Sequence, residues 1–300
     1  MKRRQKLFVG IVILLLILSS GSLIYMLSGY GNWIIYSSYL QEPQEIYNME
    51  TGIINSLSEF QSGDDFSIIY DFENSEYPEL LNKYGIEETA GSGSEFEKAT
   101  RLMDAYSGRL NHQSDYDNHI GFHALALLDY SLDNKSHGIN CRAKAQILNE
   151  MCLALHIYSR KVWICPNSVY DSDCHVVNEV WDSALNQWVM LDITNNYYWV
   201  DENGKPLSVL EIRDHLEKQL FCTPVSPSDD LNDLERTLQK NYGNVLYIAK
   251  NMVYMYYCTS CSTGETEQFY ALMPVSFAGK EDEHLIIVSR ESIETAPFSD

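Results

Sequence analysis

The region from residue 136 to 194 constrains the fold most, because it combines one helical pattern with several strand patterns. Apolar residues recur at helical spacing from Cys141 to about Leu155, behind the turn Gly138-Ile139-Asn140. Three short segments with strand-like composition follow, at residues 160–165, 174–181 and 188–194. This order predicts an α+β fold in which the helix packs on an antiparallel sheet.

The flanking segments complete the predicted organisation. We expect helical accessory segments before residue 118, and after the central region a helix near 230–241 with strands near 245–257, 268–277 and 284–289. We predict three parts: a cytoplasmic tip with a transmembrane anchor at 1–30, an accessory region at 31–117, and a catalytic domain with a C-terminal strand extension at 118–300.

Cys141 is the candidate nucleophile. It stands at the start of the predicted helix, where free backbone N–H groups and a partial positive charge stabilise a thiolate. The same N–H groups can stabilise an oxyanion. A nucleophilic thiol also needs a general base and a group that orients this base.

His175 and Asp192 are the candidates for these two roles. They lie on consecutive predicted strands, 17 positions apart. A four-residue hairpin loop at Asp182–Leu185 would place them directly opposite each other, on one face of the sheet. Asp192 could then hold one imidazole nitrogen while the other faces Cys141. The same three residues could bind zinc, but we favour catalysis because zinc binding needs no thiol at a helix start.

Three sequence blocks resemble the transglutaminase-like core. They are Gly138-Ile139-Asn140-Cys141-Arg142 with Ala145, then His175-Val176-Val177-Asn178-Glu179-Val180-Trp181, then Trp188-Val189-Met190-Leu191-Asp192-Ile193-Thr194. The resemblance implies a papain-like α+β fold and acyl-transfer chemistry on amides. It implies that Cys141 is the nucleophile, His175 the base and acid, and Asp192 the orienting group. One departure is His175-Val176-Val177, where the family usually has His-Ala-Trp, so an aromatic wall of the cleft is absent from this position.

The N-terminal segment predicts the location of the chain. No residue from Leu7 to Gln41 is charged, and Leu7–Met26 is apolar and long enough to cross a bilayer as a helix. The basic run Lys2–Lys6 precedes it, which favours a single-pass protein of the cell membrane with a cytoplasmic N-terminus and an extracytoplasmic C-terminal domain. A cleaved signal peptide ending at Ser19–Ser22 is the alternative; the apolar residues Leu23–Leu27 favour the retained anchor.

Charge and cysteine content limit the remaining possibilities. The chain has 42 acidic and 21 basic residues and a net charge of -21, which argues against nucleic-acid binding. Its seven cysteines leave one free thiol beside up to three disulfides if the chain is exported. Cys258 and Cys261 are expected to be disulfide-bonded rather than bound to zinc. Cys174 adjoins His175 and is expected to point to the opposite face of the strand.

Two functions remain open from the sequence. The first is a cysteine-dependent acyl-transfer enzyme that acts on proteins or peptides, with water or an amine as acceptor, and that contacts the lipid bilayer through its N-terminal helix. The second is a catalytically silent module of the same fold that binds peptides or cell-wall polymers. Neither function calls for a cofactor or a metal ion.

Overall fold

The computed structural model describes residues 19–20, 43–168, 171, 173–277 and 284–298. The chain divides into two units, Met1–Asn48 and Met49–Asp300, and the second carries the sheet and the three predicted site residues. The predicted anchor Leu7–Met26 lies outside the described residues, apart from Ser19 and Ser20. No helix within the described ranges is both long enough and apolar enough to cross a membrane.

Helices precede the sheet, and further helices are inserted between its strands. Among the described residues the helices are α1 (Pro43–Ser56), α2 (Tyr77–Tyr84), α3 (Ile86–Ala90), α4 (Glu95–Ser107), α5 (Ala124–Asp133), α6 (Cys141–Ala154), α7 (Val209–Glu217), α8 (Leu234–Asn251) and α9 (Arg290–Ile293). The strands are β1 (Ile69–Tyr70), β2 (Ser159–Cys165), β3 (His175–Asp182), β4 (Gln187–Asp192), β5 (Tyr197–Asp201), β6 (Cys222–Val225), β7 (Tyr254–Cys258), β8 (Ser260–Cys261), β9 (Phe269–Leu272) and β10 (Leu285–Ile287).

One large sheet organises the second unit. Its strand order is β10-β9-β7-β2-β3-β4-β5-β6, and all neighbouring strands are antiparallel except β9 and β10, which are parallel. The short strands β1 and β8 pair separately. Helices and an antiparallel sheet thus share one fold, which confirms the predicted mixed α+β class.

Helix α6 packs on the centre of this sheet. Its apolar residues Ala143, Ile147, Leu148 and Met151 are fully buried in a core cluster that also contains Val180, Val189 and Leu191 of strands β3 and β4. Burial of each large aliphatic side chain contributes about 1.5–3 kcal/mol of stabilisation. Residues of α2 and α4 belong to the same cluster. The core therefore fixes the helix against the two strands that carry His175 and Asp192.

A close approach of two backbone segments positions the start of α6. The chain around His112 forms a parallel bridge with Ile139, and the N–H of Gln113 donates to the carbonyl of Ile139 at 3.0 Å. A Cβ atom at Gly138 would lie 2.6 Å from the Cβ of Gln113. Only glycine fits such an approach without displacement, so Gly138 places Cys141 beside the segment that contains His112.

The hairpin between β3 and β4 has a different register from the predicted one. Asp182 pairs with Gln187 and Asn178 pairs with Leu191, so the four-residue loop starts one position later than expected. Asp182 closes the turn, because its Oδ1 accepts the N–H of Leu185 at 2.9 Å. The shift preserves the two-residue period, so His175 and Asp192 still share a face. They are diagonal rather than directly opposed neighbours.

The predicted strand at 245–257 is wrong over most of its length. Helix α8 continues to Asn251, and the strand β7 begins only at Tyr254. Residues Asn241, Val245, Ile248 and Ala249 recur at helical spacing and are buried. The Nδ2 of Asn241 donates to the carbonyl of Pro224 in β6 at 2.9 Å, which ties the helix to the sheet. This packing overrides the strand propensity of the aromatic and β-branched residues in the segment.

Candidate active site

Cys141 is the first residue of α6. The N-cap residue Asn140 accepts the N–H of Ala143 through its Oδ1 at 3.0 Å, and its Nδ2 donates to Oδ1 of Asn118 at 3.3 Å. The first N–H groups of a helix have no acceptor within the helix, and the cap occupies only that of Ala143. The N–H groups of Cys141 and Arg142 therefore remain at the helix terminus, beside the Cys141 sulfur, as donors to a negative charge.

His175 and Asp192 are in direct contact. Nε2 of His175 lies 2.9 Å from Oδ2 of Asp192, and each residue is only 3% exposed. Burial opposes ionisation of Asp192, but the charge and hydrogen bond of His175 and the hydrogen bonds from Asn195 hold its pKa below the ordinary value. The carboxylate is therefore available to orient the imidazole over the ordinary pH range.

Two residues after β4 hold the Asp192 carboxylate in place. Its Oδ1 accepts the backbone N–H groups of Thr194 and Asn195 at 2.9 and 3.2 Å. Its Oδ2 accepts the side-chain amide of Asn195 at 2.8 Å as well as the imidazole. These donors share the cost of burying the charge and leave the carboxylate little freedom to rotate. The sequence reasoning did not identify Asn195, although an Asx-type turn after Asp192 is a recognisable local signal.

The sulfur of Cys141 reaches the same imidazole. Cys141 hydrogen-bonds to His175, and since Asp192 occupies Nε2, this contact falls to the other ring nitrogen. Burial alone would lower the pKa of His175, but the charge and hydrogen bond of Asp192 and the contact with Cys141 outweigh it and raise the pKa to about 10. A protonated imidazole at neutral pH lies beside the sulfur and favours a thiolate.

An open cavity gives access to this group. Its volume is about 600 Å³, and it is lined by His112, Ser114, Asn140, Cys141, Asp173, Cys174, His175, Thr194, Asn195, Asn244 and Tyr247. Cys141 and His175 both contribute to the wall, whereas Asp192 lies behind the imidazole. Cys174, which directly precedes the first residue of β3, also contributes to the lining.

Tyr247 of α8 supplies an aromatic wall beside the imidazole. Its ring packs edge-on against the His175 ring, with the centroids 5.6 Å apart. The hydroxyl of Tyr247 lies 3.3 Å from Oδ1 of Asp173, whose other oxygen accepts from Lys250 at 2.9 Å. Val176 and Val177 follow His175, where the resemblance leads one to expect an aromatic residue. Helix α8 instead provides an aromatic ring beside this imidazole, through Tyr247.

Two further basic residues near the site were not identified from the sequence. Lys144 lies one helical turn after Cys141 and is 2% exposed. Burial lowers its pKa, although the negative charges of Asp192 and Cys141 act in the opposite direction. His112 lines the cavity, and burial together with the charges of Lys144 and His175 lowers its pKa. Lys144 lies in the predicted helix without a motif that marks it, while His112 approaches the cavity through the contact at Gly138.

Comparisons with known proteins give a family match and similarities to solved structures. Residues 83–193 match the model of the transglutaminase-like superfamily. Among solved structures, a candidate cysteine protease from Cytophaga hutchinsonii shares 18% identity, covering 52% of this chain and 50% of its own, with a TM-score of 0.31. A candidate protease from Parabacteroides distasonis shares 15% identity, covering 53% of this chain and 30% of its own, with a TM-score of 0.26.

The alignments thus span half or less of the length of these two proteins. The comparison with curated proteins gives no match. The family match contains the start of α6, strand β3 and strand β4, and so includes Cys141, His175 and Asp192. The similarity of this chain to the transglutaminase-like superfamily therefore extends over residues 83–193.

Proposed function

We propose that this chain is a cysteine-dependent acyl-transfer enzyme that acts on amide or peptide bonds. The observation that supports the proposal is the chain of contacts from Cys141 through His175 to Asp192, which opens into a cavity. A thiol at a helix start, a base in contact with it and a buried carboxylate behind the base are the parts that a thiol nucleophile requires. The site holds them in that order.

The reaction follows from these contacts. The Cys141 thiolate attacks the carbonyl carbon of the substrate, and the N–H groups of Cys141 and Arg142 stabilise the oxygen that becomes negative. His175, which is protonated, donates its proton to the leaving amine as the C–N bond breaks, and a thioester forms on Cys141. His175 then removes a proton from water or from an acceptor amine, which attacks the thioester and releases the sulfur. Asp192 stabilises the imidazolium in both steps.

The cavity suits a peptide substrate. Its lining includes the polar residues Ser114, Asn195 and Asn244, whose side-chain oxygens can accept the N–H groups of an extended chain. Its volume of about 600 Å³ is within the usual range for small-molecule sites and accommodates a side chain with adjoining backbone. We therefore propose protein or peptide substrates, with water or an amine as the acceptor.

Alkylation by iodoacetamide tests the proposed thiolate. At neutral pH we expect Cys141 to react faster than an ordinary thiol such as glutathione, and faster than the buried Cys152 of the same helix, because protonated His175 lies beside its sulfur. Peptide mass mapping after short exposures gives the rate at each cysteine. A Cys141 that reacts no faster than an ordinary thiol at neutral pH contradicts the enzyme and supports a catalytically silent binding module.

A second assay identifies the acyl acceptor. Incubation with a peptide panel, with and without a small primary amine, is expected to give hydrolysed peptide, amine-linked peptide or both. Mass spectrometry distinguishes the two products, and a thioester on Cys141 trapped at low pH demonstrates the common intermediate. Absence of the thioester and of both products with every peptide, under conditions where Cys141 is alkylated rapidly, contradicts acyl transfer on peptides.

We also propose that the enzyme acts outside the cytoplasm, anchored by its N-terminal segment. The support is the apolar run Leu7–Met26 behind the basic residues Lys2–Lys6. In bacterial spheroplasts that produce the full chain, added protease is expected to degrade the C-terminal domain before lysis. Protection until lysis contradicts this orientation. The mass of the purified chain distinguishes a retained anchor from a signal peptide cleaved near Ser19–Ser22.

A further inference from the structure

Two cysteines outside the proposed catalytic group lie side by side at the edge of the cavity. Strand β2 ends at Cys165, strand β3 begins at His175, and the last pair between the strands is Ile164 with His175. One further step in this antiparallel register places Cys165 opposite Cys174. Directly opposed residues in an antiparallel pair have Cα atoms about 4.5–5.5 Å apart. Disulfide-bonded cysteines usually have Cα separations of about 4.4–6.8 Å.

The two thiols are already in contact, and they are not equivalent. The structure has both in the reduced form, with a hydrogen bond between their side chains. This hydrogen bond lowers the pKa of Cys174 to about 7, with help from the charge of His175 and against the effect of burial. The same bond, together with burial, raises the pKa of Cys165 well above the ordinary value. Cys174 is therefore the thiolate of the pair and Cys165 the proton donor.

Access to the pair also differs between its members. Cys174 is half-buried and lines the cavity, so a small reagent that enters the cavity meets it. Cys165 is 3% exposed, and its thiol hydrogen-bonds to that of Cys174. A thiolate with a pKa near the ambient pH is the most effective attacking group in thiol–disulfide exchange. Oxidation is thus expected to begin at the thiolate of Cys174, and the thiol of Cys165 is positioned to form the disulfide with it.

We propose that Cys165 and Cys174 form a disulfide when the protein meets a low-molecular-weight disulfide such as oxidised glutathione. The Cys174 thiolate attacks one sulfur of the reagent, forms a mixed disulfide and releases one glutathione thiolate. Cys165 then loses its proton and attacks the Cys174 sulfur, which releases the second glutathione. Two protein thiols are oxidised to one disulfide, and one glutathione disulfide is reduced to two thiols.

This bond would protect the proposed nucleophile. Cys141 and Cys174 line the same cavity, so a mixed disulfide that persisted on Cys174 would obstruct the cavity or exchange with Cys141. Cys165 removes that mixed disulfide by reacting with it from the buried side. The register brings the two positions opposite each other, so the bond fits the existing pairing of β2 with β3. Oxidation should therefore leave Cys141 reactive, and this consequence rests on the proposed function of Cys141.

Non-reducing peptide mapping tests the bond itself, independently of any activity. Trypsin leaves both cysteines in one peptide, because no Arg or cleavable Lys lies between Lys161 and Arg213; Lys205 is followed by Pro206. A protease that cuts before Asp171 and Asp173 separates them. After treatment with oxidised glutathione and alkylation, we expect the fragments with Cys165 and Cys174 to stay joined until a reductant is added. A bond between Cys174 and Cys141 instead, or no bond at Cys174, overturns the proposal.

The variant Cys165→Ala tests the protective role, with Cys222→Ala as a matched control at another buried cysteine. In the Cys165→Ala protein, oxidised glutathione is expected to leave a persistent mixed disulfide on Cys174 or a bond to Cys141. Iodoacetamide labelling of Cys141 should then fall at least tenfold relative to treated wild type and to the control. Equal labelling of Cys141 in all three proteins overturns the protective role. Whether the disulfide itself forms is decided separately, by the peptide mapping. Failure of acyl transfer alone changes neither result.

Discussion

Replacement of Cys141 by alanine is expected to abolish acyl transfer and leave the fold intact. In a catalytic group that acts as a unit, removal of the nucleophile costs on the order of 10⁶-fold in kcat. Cys174, the other thiol in the lining of the cavity, precedes a strand and is not the first residue of a helix, so it lacks the helix-start N–H groups that favour the Cys141 thiolate. Alanine is a good helix former, and Cys141 is half-buried, so the free energy of unfolding should change by less than about 1 kcal/mol.

The measurement is kcat/KM on a peptide found to be a substrate, together with a denaturant unfolding curve. Cys152→Ala is the matched control on the same helix. Cys152 is fully buried in the core, so this variant should lose stability through a small cavity and keep its turnover. A Cys141→Ala protein that is folded and retains more than about a hundredth of the wild-type rate contradicts the nucleophilic role.

The parts of the site that could be predicted depend on local patterns. Asn140 and Cys141 were placed correctly because a helix start is defined by a cap residue and the apolar spacing behind it. His175 and Asp192 were placed on one face because strand alternation has a fixed period of two. Their exact pairing was wrong, since the side chain of Asp182 decides where the hairpin turns.

The remaining parts depend on contacts between distant segments. Tyr247 meets His175 because α8 runs past the position at which the sequence suggested a strand. His112 enters the cavity through the close approach at Gly138, and no local pattern predicts that contact. Tertiary packing positions such residues, and the contacts it makes do not appear in the sequence as residues at a fixed spacing. They also give the cavity its shape, so specificity is less predictable than the reacting group itself.

Asp192→Asn is expected to produce the second largest loss of activity. Asparagine keeps the size of the side chain, but it removes the charge that holds His175 protonated and oriented. The corresponding change in a serine protease lowers kcat by about 10⁴-fold, and we expect a loss of about 10³–10⁴ here. The pKa of His175 should fall from about 10 to below its ordinary range, since burial would no longer be opposed by a carboxylate.

We also expect Asp192→Asn to change how the free energy of unfolding depends on pH. The pKa of His175 is raised on folding, so its contribution is complete below about pH 6.5 and is lost as the pH rises through about 10. The pKa of Asp192 is lowered on folding, so its contribution is present above about pH 3.9 and is lost at lower pH. The free energy of unfolding of wild type should therefore exceed that of Asp192→Asn by the largest amount between about pH 4 and 6.5.

An NMR titration of the His175 imidazole and unfolding curves at several pH values measure both effects. Asn195→Ala is the matched comparison, because it removes one hydrogen bond to the Asp192 carboxylate and leaves the charge. It should lower the pKa of His175 by less than Asp192→Asn does and should retain most of the alkylation rate at Cys141. If His175 titrates near its ordinary pKa in wild type and in Asp192→Asn alike, the carboxylate does not control the imidazole. The thiolate at Cys141 would then need another source of stabilisation, for which Lys144 of the same helix is a candidate because its charge interacts with that of Cys141.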